Sequence, residues 1–91
     1  MKQFFKVIAQ QEPFTVAKQD GSSLTKCQVV LQMLGGKYED SFVCTLLGNS
    51  AMLKFYENDL VLASLRFQHN EYQGKFYQDI TIQEIISFTQ H

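Results

Sequence analysis

Asn58-Asp59-Leu60-Val61-Leu62-Ala63-Ser64-Leu65-Arg66-Phe67 runs into Gln68-His69-Asn70-Glu71-Tyr72-Gln73-Gly74-Lys75 and then into Phe76-Tyr77-Gln78-Asp79-Ile80-Thr81-Ile82. Two long runs of aliphatic, aromatic and β-branched residues flank a polar segment holding a glycine, which is the pattern of two strands joined by a loop. In the first run Val61, Ala63, Leu65 and Phe67 alternate with Leu60, Leu62, Ser64 and Arg66, so one set faces a core and the former is expected there. In the second, Phe76, Gln78, Ile80 and Ile82 alternate with Tyr77, Asp79 and Thr81, which sets Tyr77 on the outer side. The loop between them, residues 68–75, carries Tyr72 and Lys75.

Upstream, the same period-two reading finds three more strands. Phe4 to Gln10 is apolar and ends before Pro13, which has no N–H for a ladder. Asp20-Gly21-Ser22-Ser23 is a turn cluster, so Val16 to Ser23 is expected to be the loop between strands one and two. From Leu24 to Leu34, Cys27, Val29, Leu31 and Met33 alternate with Lys26, Gln28, Val30 and Gln32. Gly35-Gly36-Lys37 reads as a turn, lacking the serine or threonine and the strand-to-helix setting of a phosphate loop. Phe42, Cys44 and Leu46 then alternate with Val43, Thr45 and Leu47 in a third strand that makes a hairpin with the second. Gly48 ends it, and Asn49 or Ser50 would cap a short helix whose apolar members are Met52, Leu53 and Phe55 or Tyr56. The tail from Glu84 is expected to be short.

Ninety-one residues suffice for one core and no second unit, so residues 1–91 are read as a single domain. No apolar run nears the roughly 18 residues of a membrane span, and Met1 to Ile8 lacks the features of an export signal. Cys27 and Cys44 lie in separate apolar runs and are read as free, core-facing thiols in a reducing cytoplasm. With His69 and His91 they form no metal-ligand spacing, so neither a metal nor another cofactor is expected. Scattered carboxylates and histidines remote from any nucleophile give no enzyme constellation. The resulting fold is all-β: a five-stranded Greek-key barrel of the OB type, with a short helix between strands three and four, making 1–91 a single OB-fold domain.

With that order of elements, residues from Asp40 to Ile85 resemble the bacterial single-stranded-DNA-binding protein family, including its short OB-only members and primosomal replication protein. Three segments carry the resemblance: Thr45-Leu46-Leu47-Gly48, the helix followed by Asn58-Asp59-Leu60-Val61, and Tyr72-Gln73-Gly74-Lys75-Phe76-Tyr77 running into Ile80-Thr81-Ile82-Gln83-Glu84-Ile85. Family members often place a base-stacking tryptophan at the end of strand three and Lys-Gly-Asp after the helix. Leu47 and Glu57-Asn58-Asp59 stand at those places, and the chain has no tryptophan. The acidic tail through which longer members recruit partners is also lacking, so recruitment by such a tail is not expected. The resemblance implies a replication or repair role and assembly as a dimer or tetramer.

A net charge of −1 excludes a broadly basic nucleic-acid binder, so any basic surface must be local and stacking must supplement it. Tyr72 and Tyr77 are the stacking candidates, with ordinary cross-strand packing in a hairpin as the alternative for each. Lys18, Lys26, Arg66 and Lys75 form a candidate basic track, and Ser22 lies beside it in the first loop. Thr45 and Leu47, with Val30 and Val43, form an outer strip suited to bases or to another subunit. Phe14, Phe42, Phe55, Phe67 and Phe76 are assigned to packing. The leading expectation is non-specific binding of single-stranded DNA, or RNA, in a groove bordered by the first loop, strands two and three, and the loop of residues 68–75. The competing one is a protein-interaction or oligomerisation barrel without nucleic acid, in which a partner covers Leu60, Leu62, Val43 and Leu47 and strand one pairs edge to edge.

Overall fold

The computed structural model describes residues 2–35 and 40–88, so the Gly36-Lys37 part of the expected turn and His91 lie outside the described residues. Six strands, β1 (Lys2–Gln10), β2 (Phe14–Ala17), β3 (Ser23–Met33), β4 (Ser41–Leu47), β5 (Leu60–Tyr72) and β6 (Lys75–Ser87), make one sheet. All neighbours are antiparallel except β4 and β6, which meet in parallel through Thr45 and Thr81. Because β1 pairs with both β5 and β3, the pairings return on themselves in the order β1–β3–β4–β6–β5–β1. Among the described residues no helix is long and apolar enough to cross a membrane.

The sixth strand corrects the expected five. Gln11, Glu12 and Pro13 interrupt the first run, and the chain resumes as β2, pairing Phe14 through Ala17 with Lys26 through Ser23. Of the expected first loop, Val16 and Ala17 lie in β2 and Ser23 in β3, and residues 18–22 between them are a tight turn in which Lys18 donates its N–H to the Ser22 carbonyl at 2.8 Å. Edge pairing through β1 is also corrected, because Lys2 to Lys6 already pair with β5 and Phe5 to Gln10 with β3.

Alternation places the core largely where the sequence puts it. Cys27, Val29, Leu31, Cys44, Leu46, Val61, Ala63, Leu65 and Ile82 are buried, together with Phe5 and Val7. One irregularity makes this possible in β6: Ser64 pairs with Glu84 but Leu65 with Ile82, leaving Gln83 as the extra residue. That bulge resets the period, so Ile85 packs against the core below it and Ile82 enters the core above it.

Between β4 and β5 the expected helix is only a 3-10 turn, Gly48–Met52, with Ala51 buried. Neither Asn49 nor Ser50 caps it; Leu47 stands at the cap position without a side-chain bond, and Leu53 is already extended. The segment is held from outside. Leu53 carbonyl accepts from Gln10 Nε2 at 2.7 Å, and Phe55 N–H donates to Gln10 Oε1 at 2.7 Å, so one glutamine amide acts as a strand partner. Phe55 thus reaches the core from extended chain rather than from a helix face.

The chain then turns at Asn58, whose φ is +72°, and enters β5. Asp59 is buried, and its Oδ2 accepts from Tyr56 N–H at 2.8 Å. Asn58 N–H donates to the Val7 carbonyl and Val7 N–H to the Asp59 carbonyl, so the turn docks on β1 just before the β1–β3 register shifts. Replacing Asp59 by alanine removes the charged acceptor of this part-buried bond and should lower stability by about 1–3 kcal/mol in urea denaturation, with a smaller loss for Asp59→Asn, which keeps an acceptor.

Candidate nucleic-acid interface

Beyond Leu65 and Ile82 the two long strands leave the core and continue as a ribbon, exposed from Arg66 through Asp79. The expected loop is thus mostly β-structure, closed by Gln73 and Gly74 with φ of +52° and +77°. Positive φ at both central residues is the two-residue turn whose twist matches the strands it joins. Phe67 and Phe76 are consequently exposed, not core, and Phe76 is 73% exposed. Phe67 still packs edge-on against Phe42, which in turn meets Phe5, so a chain of rings ties the ribbon's base to the core.

Residues opposite one another in the register share a face. Tyr72 pairs with Lys75, Asn70 with Tyr77, Gln68 with Asp79 and Arg66 with Thr81, so all eight lie on the face turned away from the core side. Tyr72 and Tyr77 are diagonal neighbours, about 7–8 Å apart in such a ladder, and are 65% and 48% exposed. Between them and Arg66, Asn70 Nδ2 donates to Asp79 Oδ2. Asp79 is the one acid among those eight residues; Glu71 belongs to the opposite face, beside Phe76.

The same face continues across the ring. Arg66 lies beside Thr81, Thr81 beside Thr45, and Thr45 beside Gln28, a row crossing β5, β6, β4 and β3. Three spacings of about 4.8 Å make that row about 14 Å wide. One step further along β4, Leu47 pairs with Lys26, and Lys26 pairs with Phe14 of β2. Phe14, assigned to packing from sequence, is 47% exposed and sits on this outer face. Its position follows from the β2–β3 register, which the sequence reading replaced with a loop.

The structure thus brings together Arg66, Tyr72, Lys75 and Tyr77 on the ribbon, joins them to Thr45 through Thr81, and sets Lys26 beside Leu47. Lys18 lies apart, in the turn beyond the β2–β3 pairs. Ser22 there is committed to its own turn: its N–H and its Oγ both donate to Asp20 Oδ1, at 3.0 and 2.6 Å, and these bonds hold the Asp20 carboxyl below its ordinary pKa. Val43 and Leu47 are separated from Leu60 and Leu62 by β6, so the four do not form one strip. Leu62 instead lies in a row with Phe4 and Ile86 on the flank made by β1, β5 and β6, where Phe4 and Phe88 pack with centroids 5.7 Å apart. Lys2 and Glu84 form an ion pair of 3.9 Å at the border of that apolar flank.

Cys27 and Cys44 face the core as free thiols. Cys27 Sγ donates to the Gln11 carbonyl at 3.0 Å, and burial pushes the Cys44 thiol up to about 12, so it stays protonated.

No protein-family model matches the chain, and no curated protein matches it. Among solved structures it is similar to the second OB-fold domain of replication protein A from Methanococcus maripaludis, with a TM-score of 0.76 and 18% identity, covering 99% of this chain and 84% of that one. At that identity the likeness speaks to the fold alone: this is an all-β chain of OB-fold type, built from six strands.

Proposed function

We propose that this chain is a binding module for single-stranded nucleic acid, with DNA as its principal ligand, RNA as the related one, and no reaction of its own. The ring of strands is read as a closed OB barrel, and the ligand path as the outer face of β3, β4, β6 and β5 continued onto the ribbon. One observation carries this reading: the β5–β6 register sets Tyr72 and Tyr77 diagonally on one face with Lys75 and Arg66. Exposed rings offer stacking of about 1–3 kcal/mol per base with little sequence preference, and the flanking cations meet phosphates. The structural neighbour is a domain of a replication protein, which supports a role in replication or repair. Such a role belongs in the cytoplasm, where Cys27 and Cys44 stay reduced.

A second reading rests on the row of Phe4, Leu62 and Ile86, which shares the outward side of β5 with Arg66 but lies four residues from it along the strand. Phe4, Ile86 and Phe88 are each about half exposed there, and the border carries Lys2 and Glu84, one charge of each sign. In a twofold pairing each such surface meets itself, so a second copy would cover the rings and match Lys2 to Glu84. Because the Leu62 row lies four residues along β5 from Arg66 and ten from Tyr72, a homodimer is compatible with nucleic-acid binding and replaces it only if no strand binds.

Labelled oligo-dT should raise its fluorescence anisotropy on titration with the protein at low salt. With about three phosphates neutralised at about 0.7 each, affinity should fall about 20-fold from 50 to 200 mM salt. Tyr72→Ala and Tyr77→Ala should each weaken binding about 5- to 100-fold, whereas Lys75→Ala should weaken it less and flatten the salt slope. Absence of binding by the unmodified protein at low salt rules the reading out. For the flank, sedimentation equilibrium should show a dimer that Phe4→Asp dissociates without loss of oligo-dT binding; a monomer at all concentrations excludes the second copy.

A further inference from the structure

We infer that Phe14 is a second base-stacking station, at the end of the binding face farthest from the ribbon. The inference rests on the proposed single-strand reading and extends it to a residue whose sequence signal pointed to the core. Phe14 pairs directly with Lys26, which pairs with Leu47, so ring, ammonium group and aliphatic side chain form one outward row on β2, β3 and β4. The ring is half exposed and has no aromatic partner among the described residues. In the structure's own terms this reproduces the ribbon's chemistry, where Tyr72 is paired with Lys75.

The two stations stand on opposite sides of the Thr45–Thr81 row. β4 and β6 run parallel there, so Leu47 lies two residues to one side and Tyr77 four residues to the other. Six residues of strand rise put them about 20 Å apart along the strands, and the three spacings from β2 to β6 add about 14 Å across them. A single strand laid between the stations crosses Thr45, Thr81 and Arg66 on its way. The ligand class is therefore an extended single strand long enough to stack at both ends, within the range of about 4–16 nucleotides that one such domain holds. A mononucleotide or a short fragment would engage only one end.

The test compares unmodified protein with Phe14→Ala, Phe14→Leu and Phe14→Tyr, using labelled oligo-dT of about 15 nucleotides at low salt and urea denaturation of each variant. Alanine and leucine should each weaken binding about 5- to 100-fold, leucine doing so with little change in stability, while tyrosine, which keeps the ring, should bind as the unmodified protein does. If Phe14→Leu binds normally while Tyr72→Ala does not, Phe14 is off the path and the single-strand reading stands without it. An equal loss in all three variants, tyrosine included, assigns Phe14 to packing of the β2–β3 hairpin and also overturns the inference. No binding by the unmodified protein overturns both.

Discussion

The register between β5 and β6 is the constraint on which the rest depends. A one-residue slip would turn β6 over relative to β5, which β1 holds from its other side. Ile82 would leave the core, and Tyr77 would turn to the side that carries Glu71 and His69, away from Tyr72. Three features hold the register: the two-residue turn at Gln73 and Gly74, the bulge at Gln83, and the buried apolar set that rewards one alignment only. The same alternation that fills the core therefore places the aromatic and cationic side chains about 20 Å away at the ribbon tip.

Packing and the proposed binding surface are consequently divided along the length of the same two strands. Near the ring, β5 and β6 contribute buried aliphatic residues; past Phe67 they contribute none and are held by their own ladder. The Phe5–Phe42–Phe67 ring contacts mark the boundary. A ribbon with so little burial opens at low free-energy cost, which suits a surface that adjusts to a flexible ligand. Around the ring, β4 has the central position: its inner side supplies Cys44 and Leu46 to the core and its outer side links the ribbon row, through Thr45, to the Lys26–Leu47–Phe14 row.

Much of this was legible in the sequence because period-two alternation reports burial directly. The inward sets of β3 and β4, that of β5 as far as Leu65, and the outward placement of Tyr77 and Arg66 follow from it, whereas Tyr72, expected in a loop, lies on β5. Where alternation stops, other forces decide. The short 3-10 turn replaces a helix because Gln10, some forty residues upstream, binds the chain at Leu53 and Phe55; local spacing of Met52, Leu53 and Phe55 carries no trace of that partner. Phe14 and Phe76 look like core residues by hydrophobicity, yet Phe14 sits on the outer face of β2 and Phe76 where β6 reaches past the ring, and neither the β2–β3 register nor strand length beyond the core is encoded in side-chain pattern. The split of Val43 and Leu47 from Leu60 and Leu62 arises from β6 inserting between β4 and β5, a long-range pairing that no local signal announces.

The central claim is that one outer face, from Lys26 across Thr45 and Arg66 to the ribbon tyrosines, is the ligand path, while the Phe4–Leu62–Ile86 flank is not. Backbone amide shifts followed by two-dimensional NMR during titration with oligo-dT test this residue by residue. Shifts are expected to concentrate at Lys26, Thr45, Arg66, Tyr72, Tyr77 and Thr81, with Phe4, Leu62 and Ile86 unmoved. Shifts confined to the Phe4–Ile86 flank, or spread evenly over both flanks, would contradict it.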